Sequence, residues 1–459
     1  MDYREASPYP ATAPDEQTND RRVSNGDINK LFDQDRPAHG WYRFVLSFPP
    51  HLVRDYVRRF DLRDHHRVLD PFCGTGTTLV ECKKLGVPST GFEANPLAHF
   101  AGQVKVDWSP DPESLVKHSE HVAEIALRIL EEDGITDNPL LNQITENDLT
   151  DKSLRTINPE LMQLLLANSI SPLPLHKVLV LLDCLRQNAD PRFERHQRLA
   201  LAKALAFSIS NLHFGPEVGI GPKKLDAPVI AAWLDGIYVM ARDLRQLQQF
   251  DRTEAVVYHA DARRISDVLQ NSSIDAVITS PPYPNEKDYT RTTRLESVLL
   301  GFIQSKTELR ALKQNLLRSN TRNVYRADND DQWVASFPKI QHLADAIEAR
   351  RAELQKTSGF ERLYAKVAKL YFGGIARHLA DLRAVLRPGA QLAYVVGDQA
   401  SYFRVMIRTG ELLADIAQTL GYEVVSIDLF RTRIATATRA QLREEVVVLR
   451  WPGSAISLV

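Results

Sequence analysis

Apolar runs alternate with an amphipathic segment early in the chain, and this alternation predicts a βαβ unit. The run HRVLDPF, residues 66–72, has the length of a buried strand. A turn rich in Gly and Thr leads from it into the helical segment TTLVECKKLG, which Gly86 ends, and then into a second strand, STGFEAN. A strand, a helix and a second strand in this order imply a parallel sheet.

The remaining apolar segments extend this sheet and interrupt it with helices. Further strands are predicted at EAVVYHADA, SIDAVITSPPY, AQLAYVVGD, YEVVSIDLF and REEVVVLRW. Residues 113–250 have apolar positions at helical spacing, as in PELMQLLLANSI, and are predicted to be almost wholly helical apart from the loop GPEVGIGPKK. Residues 299–385 are also mostly helical and contain the polar, basic segment RSNTRNVYRADNDD. The pattern predicts an α/β fold with large helical insertions.

Composition and charge set limits on the function. The 459 residues are 44% hydrophobic, which supplies an ample core. Lys and Arg total 57 against 58 Asp and Glu, so any nucleic-acid surface must be local. Cys73, Cys82 and Cys184 form neither a disulfide framework nor a CxxC metal site, so we expect core thiols in a reducing compartment and no metal.

Targeting signals are not evident in the sequence. The first thirty residues have no apolar signal region, and no stretch reaches the length of a membrane span, so we expect a soluble, cytoplasmic protein. These first residues are rich in Pro, Ser, Asn, Asp and Arg without periodicity. They are predicted to form a tail that is disordered or ordered only by a partner.

The segment VLDPFCGTGTT, residues 68–78, joins the first strand to its helix. Gly74 and Gly76 let a ligand approach the backbone where a Cβ would clash, and the helix N-terminus presents unpaired N–H groups. Leu79 occupies the third glycine position of GxGxxG, which argues against a nicotinamide dinucleotide. Because a carboxylate repels phosphate, Asp70 favours a cationic or amine-bearing ligand.

Two acidic residues follow other strands. Glu93, in GFEANP, can accept hydrogen bonds from both hydroxyls of a ribose, and its interval from the glycine turn favours an adenosyl ligand. Asp261, in HADARRI, is a weaker candidate for contact with the N6 amino group of an adenine. A helix-capping or surface role fits Asp261 equally well.

The segment TSPPYPNEKDY, residues 279–289, follows the apolar strand IDAVI. Pro281 and Pro282 fix φ and remove N–H donors, so the carbonyls around Ser280 and Pro281 are left as acceptors beside the ring of Tyr283. Acceptors beside an aromatic ring are what a flipped base with an exocyclic amine requires. The alternative, a rigid turn capped by a packed tyrosine, is less favoured so close to a ligand-binding turn.

At these motifs the sequence resembles the amino-methyltransferases of DNA, which act on cytosine N4 or adenine N6. DPFCGTGTT resembles their cofactor motif, FEANP their acidic ribose motif and SPPY their catalytic motif, usually written (D/N/S)PP(Y/F). FPPHLV, LRPGAQLAYVVGD and RTRIATATRAQLREEVVVLR are similar to further segments of the family, so that the resemblance covers about half of the chain. The cofactor motif precedes SPPY here, whereas many cytosine-N4 members have the reverse order.

The resemblance implies a Rossmann-like class I S-adenosylmethionine-dependent methyltransferase sheet, S-adenosyl-L-methionine as the cofactor and double-stranded DNA as the substrate. Since the serine form of the motif is typical of cytosine-N4 members, N4-methylcytosine is the expected product. Adenine-N6 methylation, RNA base N-methylation and an inactive recognition subunit are the alternatives. The implied catalytic residues are Ser280, Pro281, Pro282 and Tyr283, and the implied cofactor-binding residues are Phe48, Asp70, Pro71, Phe72, Gly74, Gly76, Thr77, Thr78, Glu93, Asn95, Asp261 and Ala262.

Basic residues are the expected contacts to DNA phosphates, because such contacts supply most of the binding free energy. The candidates are Arg291, Arg294, Arg318, Arg322 and Arg326 after the catalytic motif, Lys223 and Lys224 in GPEVGIGPKK, and Arg431, Arg433 and Arg439. A cognate restriction or defence-system protein is a further expected partner, and the oligomeric state is left open.

The motifs also divide the chain. The expected parts are a tail at 1–30, the cofactor-binding half of the catalytic domain at 31–109, a helical insertion at 110–250, the catalytic-motif half at 251–300, a helical and basic insertion for target recognition at 301–369, and the C-terminal strands of the catalytic domain at 370–459.

Overall fold

A computed structural model describes residues 31–43, 48–142, 153–215, 217–285, 287–434 and 441–453. The predicted tail at 1–30 and Arg439 lie outside the described residues. Within them, the apolar segments form a seven-stranded sheet and a separate two-stranded hairpin. The strands are β1 (Val68–Asp70), β2 (Ser89–Phe92), β3 (Leu212–Phe214), β4 (Val218–Ile220), β5 (Ala255–Tyr258), β6 (Ile274–Thr279), β7 (Leu386–Gly397), β8 (Glu423–Ile434) and β9 (Gln441–Arg450).

The large sheet has the order β5-β2-β1-β6-β7-β9-β8. The first five strands are parallel, and β9 runs antiparallel to both of its neighbours. In the centre, Val68 of β1 is paired with Ser89 of β2 and Ala276 of β6, so that these strands end at one edge. This sheet confirms the predicted Rossmann-like class I methyltransferase fold, in which ligands bind beyond the carboxyl ends of the strands.

Fifteen α-helices surround the two sheets in the described part of the chain. They are α1 (Arg36–His39), α2 (Pro50–Arg59), α3 (Thr77–Lys84), α4 (Pro96–Lys105), α5 (Pro112–Glu132), α6 (Pro159–Met162), α7 (Pro172–Gln187), α8 (Glu194–Ala204), α9 (Val229–Leu247), α10 (Tyr289–Thr292), α11 (Arg294–Leu299), α12 (Lys306–Asn315), α13 (Pro338–Glu353), α14 (Tyr364–Leu382) and α15 (Thr409–Thr419). None of the described helices is long and apolar enough to cross a bilayer.

Both faces of the sheet are buried, because successive side chains of a strand point to opposite faces. Val68 packs on one face with Val53 of α2, whereas its neighbour Leu69 packs on the other face with Phe372 of α14. Continuous apolar runs such as IDAVI are typical of a parallel sheet covered on both sides. The three cysteines are buried as free thiols.

The segment between β2 and β5 departs from the predicted near-continuous helix in two places. PELMQLLLANSI forms a helix only over Pro159–Met162, and Asn168 in the same segment has a left-handed φ of 62°. The predicted loop GPEVGIGPKK contains β4, which pairs with β3 as an antiparallel hairpin. Strands of three residues are too short to produce a recognisable alternation in the sequence, which is why the hairpin escaped prediction.

Buried hydrogen bonds attach the helical segment to the catalytic sheet. The indole N–H of Trp41 donates to Asp243 Oδ2 of α9 at 2.9 Å, and the hydroxyl of Tyr42 donates to Glu296 Oε1 of α11 at 2.9 Å. The adjacent residues Trp41 and Tyr42 thus contact the helical segment and the helices that follow β6, respectively. Burial raises the pKa of Glu296 to about 7.

Candidate active site

A cavity of about 670 Å³ lies beyond the carboxyl ends of β1, β2, β5 and β6. Residues 71–75 and 92–95 line it from the first two strands, residues 260–262 from the turn after β5, and residues 280–283 from the turn after β6. These are the segments that the sequence singled out. Because the four strands are parallel and adjacent, their turns meet at a single edge of the sheet.

The glycine turn after β1 wraps around Glu93. Gly74 has a φ of 52° and no atom within 4 Å of the place where a Cβ would stand, so its backbone borders open space. The Gly74 N–H donates to Glu93 Oε2 at 2.9 Å, and the Asn95 N–H donates to Glu93 Oε1 at 2.7 Å. Burial nevertheless raises the pKa of Glu93 to about 7. The carboxylate is thus held in a fixed orientation in the cavity.

Asp70 lies beneath the turn and is fully buried. Its Oδ1 accepts hydrogen bonds from the Thr279 hydroxyl at 2.6 Å and from the Phe72 N–H at 3.2 Å. Its Oδ2 has no hydrogen-bond partner among the described residues. Burial raises the pKa of Asp70 to about 6. A buried carboxylate oxygen without a partner is a position where a cationic group would be stabilised.

The other residues predicted for cofactor binding fall into two groups. Gly76, Thr78 and Asp70 lie behind the cavity wall, where Thr78 donates to the Ile278 carbonyl at 3.1 Å and Gly76 packs closely on Gly102. The remaining ones line the cavity itself, and these are Phe48, Pro71, Phe72, Gly74, Thr77, Glu93, Asn95, Asp261 and Ala262.

Asp261 is engaged by a neighbouring arginine. Arg263 donates to both carboxylate oxygens of Asp261, from Nε at 3.0 Å and from Nη2 at 2.6 Å. The Nη1 of Arg263 donates to Asp330 at 2.5 Å, and Arg377 reaches the same carboxylate at 3.2 Å. The side chain of Asp261 therefore also anchors the segment around Asp330, a role that the sequence did not suggest.

The SPPY turn presents oriented acceptors. The Ser280 hydroxyl donates to the Val395 carbonyl at 3.1 Å, so its oxygen lone pairs are left to accept. The Tyr283 ring packs on Gly397, where an added Cβ would lie 3.0 Å from the ring carbon Cε2. Burial raises the pKa of Tyr283 far above its ordinary value, so the phenol stays protonated. Gly397 thus provides the space that this ring occupies.

Other parts of the cavity come from residues that sequence reasoning missed. One wall consists of residues 315–323, called the 315–323 wall below, from which Leu317, Ser319 and Asn323 line the cavity. Gln399 and Glu444 line it from the C-terminal strands and their connection, beside Arg431, which the sequence analysis proposed only as a contact to DNA. The only signal was the polar segment RSNTRN interrupting a helical stretch, and a single sequence cannot place that segment next to SPPY.

Comparison with known proteins finds relatives of this chain. The family profile described as DNA methylase, N6_N4_Mtase, matches residues 9–100. The type II methyltransferase M.BsoBI of Geobacillus stearothermophilus is 24% identical over 466 residues, which cover 95% of this chain and 89% of the relative. M.AvaI of Nostoc sp. is 22% identical over 464 residues, covering 94% and 89%. Over these matches the chain is similar to DNA amino-methyltransferases.

A solved structure, TrmN from Thermus thermophilus, has 11% identity and a TM-score of 0.30 over 91% of this chain and 52% of its own length. The chain thus spans about half of the length of TrmN. The family profile and the similarity to type II methyltransferases imply S-adenosylmethionine as the methyl donor. They leave the base open between cytosine N4 and adenine N6.

The basic residues predicted to contact DNA occupy different environments. Arg322, Arg326, Lys223 and Lys224 are exposed. Arg294 donates to the Thr290 and Leu164 carbonyls at 3.0 and 3.3 Å, which joins α11 to the helical insertion. Arg291 is partly buried at the end of α10, and its Nε has no partner among the described residues. Arg431 and Arg433 line the cavity and pair with Glu444 at 2.6 and 3.4 Å.

The expectation for Arg318 is corrected by its surroundings. Arg318 is only 3% exposed to solvent, and its guanidinium donates to both carboxylate oxygens of Asp328 at 2.9 and 2.8 Å. It also donates to the carbonyls of Lys313 and Gln314 at 2.9 and 3.0 Å. A guanidinium with these partners has no free face for a phosphate. Arg318 therefore stabilises the start of the 315–323 wall.

Proposed function

We propose that this enzyme methylates N4 of cytosine in double-stranded DNA, at a base that has been rotated out of the duplex. The observation that carries the proposal is the cavity of about 670 Å³ in which the glycine turn, Glu93 and the SPPY turn meet. A methyl donor and a flipped base must both reach such a space for direct transfer. Ser280 supports cytosine, because the resemblance associates the serine form of the motif with cytosine N4.

The residues around the glycine turn fit S-adenosylmethionine. Glu93, fixed by two backbone N–H groups, would accept from the ribose hydroxyls. The buried carboxylate of Asp70 lies behind the cavity wall, from where its charge would stabilise a cationic cofactor. The open space beside Gly74 lets the ligand approach the backbone. Asp261 would contact the adenine through whichever carboxylate lone pairs Arg263 leaves unoccupied. When bound, the cofactor supplies an electrophilic methyl group.

The SPPY turn would hold the base for attack. Ser280 donates its own proton to the Val395 carbonyl, so it can accept one N–H of the base amine, and the Pro281 carbonyl can accept the other. Two such hydrogen bonds orient the nitrogen lone pair for in-line transfer. Tyr283, supported by Gly397, provides the ring on which the base stacks. The new N–CH3 bond would form as the S–CH3 bond of the donor breaks, and the amine would then release its extra proton to water.

Methylation at carbon 5 of cytosine would require a thiol nucleophile beside the base. Cys73 is the cysteine in the cavity wall, but it belongs to the cofactor turn, and burial raises the pKa of its thiol well above the ordinary value. Its sulfur lies 3.9 Å from the Gly74 carbonyl oxygen. These features support transfer to the exocyclic amine without a covalent enzyme intermediate.

The test is to incubate the purified protein with tritiated S-adenosylmethionine and mixed duplex DNA, then to hydrolyse the DNA and identify the labelled nucleoside. We expect label in N4-methylcytosine, its loss in Tyr283→Ala and its retention in Tyr238→Ala, which alters an exposed tyrosine of α9. Label in N6-methyladenine would overturn the base assignment while keeping the mechanism. Label in RNA alone would overturn the assignment of DNA as the substrate.

A further inference from the structure

Asn323 is the residue of the 315–323 wall that stands out chemically. It lines the cavity but is only 2% exposed, and its Oδ1 has no hydrogen-bond partner among the described residues. Buried amide groups in proteins are nearly always hydrogen-bonded, since an unpaired one has lost its water without compensation. An unpaired amide at the wall of a ligand cavity therefore indicates a partner that arrives with the ligand.

We propose that Asn323 recognises the ring edge of the flipped base and is a specificity-determining residue of this enzyme. The inference rests on the proposed function and extends it. Once the Ser280 oxygen and the Pro281 carbonyl accept the exocyclic amine, the adjacent ring nitrogen of the base still needs a donor. A carboxamide offers both an N–H donor and an oxygen acceptor, and a half-turn of the amide exchanges them. After this half-turn, Nδ2 occupies the position without a partner that Oδ1 has in this structure, and it donates to the ring nitrogen.

The wall that carries Asn323 is fixed to the rest of the protein at both ends. At its start, Arg318 holds the Lys313 and Gln314 carbonyls and is in turn held by Asp328. Beyond its end, Asp330 is held by Arg263 at 2.5 Å and packs so tightly on α14 that a Cβ on Gly373 would lie 1.9 Å from the Asp330 carbonyl oxygen. A recognition group must be held in place before the ligand arrives, and these contacts do so.

The wall is also fixed to the catalytic turn. The Nδ2 of Asn320 donates to the Lys287 carbonyl at 3.0 Å, four residues after Tyr283. The Tyr402 hydroxyl donates to the Ser319 carbonyl at 3.1 Å from the connection that follows β7. Asn323 and SPPY therefore belong to one connected structure and line the same cavity, so the position of the amide is set relative to the Tyr283 ring.

Two variants and a matched control test the proposal. Asn323→Ala removes the amide, Asn323→Asp keeps its shape but removes the N–H donor, and Asn329→Ala alters an exposed asparagine of the same segment. The substrate is duplex DNA with the unmethylated target site. On this DNA both Asn323 variants should lose about 10- to 100-fold in kcat/KM, the range for one buried hydrogen bond. Their Kd for S-adenosylmethionine should equal that of the wild type, as should all constants of Asn329→Ala.

A change in the DNA provides a test that leaves the protein intact. Replacing the target cytosine by 3-deazacytosine removes the ring nitrogen acceptor while keeping the amine. The wild type should lose more activity on this duplex than Asn323→Ala does, because the variant has already lost the contact. Equal losses in both proteins, or kcat/KM unchanged in Asn323→Ala, would overturn the assignment of Asn323.

The outcomes separate this inference from the proposed function. If the wild type labels no DNA, the proposed function fails and the inference fails with it. If the wild type labels adenine instead, the same comparison is made with 1-deazaadenine, which lacks the corresponding ring nitrogen. If Asn323→Ala does not fold, Asn323→Asp takes its place in the comparison, and equal losses for this variant and the wild type overturn the inference.

Discussion

The Thr279 hydroxyl donates to Asp70 Oδ1 at 2.6 Å, across the ends of the adjacent parallel strands β6 and β1. Thr279 immediately precedes the SPPY turn, and Asp70 immediately precedes the glycine turn. The bond therefore joins the residue beneath the cofactor turn to the residue beneath the catalytic turn. A substitution at either position should therefore affect both the cofactor turn and the catalytic turn.

Thr279→Val should weaken binding of S-adenosylmethionine by on the order of 10-fold at pH 7. The substitution keeps the side-chain volume but removes a hydrogen bond to a buried charged group, a contact worth about 1.5–3 kcal/mol. The pKa of Asp70 should then rise above about 6, so the charged form becomes less stable. Isothermal titration measures the Kd. Thr419→Val, which alters an exposed helical threonine, is the control, and equal Kd values would refute the link.

Binding of S-adenosylmethionine should release protons near pH 6.5. Burial raises the pKa of Asp70 to about 6 and that of Glu93 to about 7, so both are partly protonated in the free protein. A cation near Asp70 and hydroxyl donors on Glu93 favour the ionised forms. Affinity should therefore weaken as the pH falls from 7 to below 6.

Titrations in two buffers of different ionisation enthalpy measure that release, and Glu93→Gln should show less of it.

The folding stability of the free protein should depend on pH in the opposite direction. Both folded pKa values exceed the ordinary values of 3.8 and 4.5, so the free protein binds protons that the unfolded chain has lost. Its free energy of unfolding should fall as the pH rises from about 4 to 7. A cofactor affinity that stays constant from pH 7 to below pH 6 would contradict the prediction for binding.

The motifs around the sheet could be predicted because the information is local. A buried strand, a glycine turn and an acidic residue follow one another within residues 68–93, and the fold brings their turns to one edge. The partner of Asp261 could not be foreseen in the same way. Although Arg263 is only two residues away, the reason for its orientation is Asp330, which lies 67 positions further along the chain.

The 315–323 wall was beyond sequence reasoning for a related reason. Arg318 and Asn323 stand in a polar stretch that has the composition of a surface loop, and a surface arginine near SPPY was a reasonable phosphate contact. Burial of that stretch depends on Asp328, on Tyr402 and on Gly373 and Gly374 of α14. Tyr402 and the two glycines are distant in sequence, and Asp328 resembles any other acidic residue of a polar loop. Long-range packing thus decides which polar residues are buried.

Gly397→Ala should reduce kcat/KM for DNA by about 10-fold or more. The new Cβ would lie 3.0 Å from Tyr283 Cε2 and 3.3 Å from Glu444 Cγ, so the ring must move. Stacking of a base on an aromatic ring is worth about 1–3 kcal/mol, and a displaced ring loses part of it. The substitution should add little to Tyr283→Ala, because the ring is then absent. Gly359→Ala, whose Cβ meets no atom within 4 Å, is the matched control.

Arg318→Ala and Arg326→Ala should separate the structural arginine from the exposed one. Removing Arg318 leaves Asp328 buried without its ion pair, which typically lowers the free energy of unfolding by about 3–5 kcal/mol, and urea denaturation measures this loss. Arg326 is exposed, so its removal should leave stability unchanged. If Arg326 contacts a phosphate, the salt dependence of DNA binding should fall by a slope of about 1. A stable Arg318→Ala with a reduced salt slope would restore the phosphate role to Arg318.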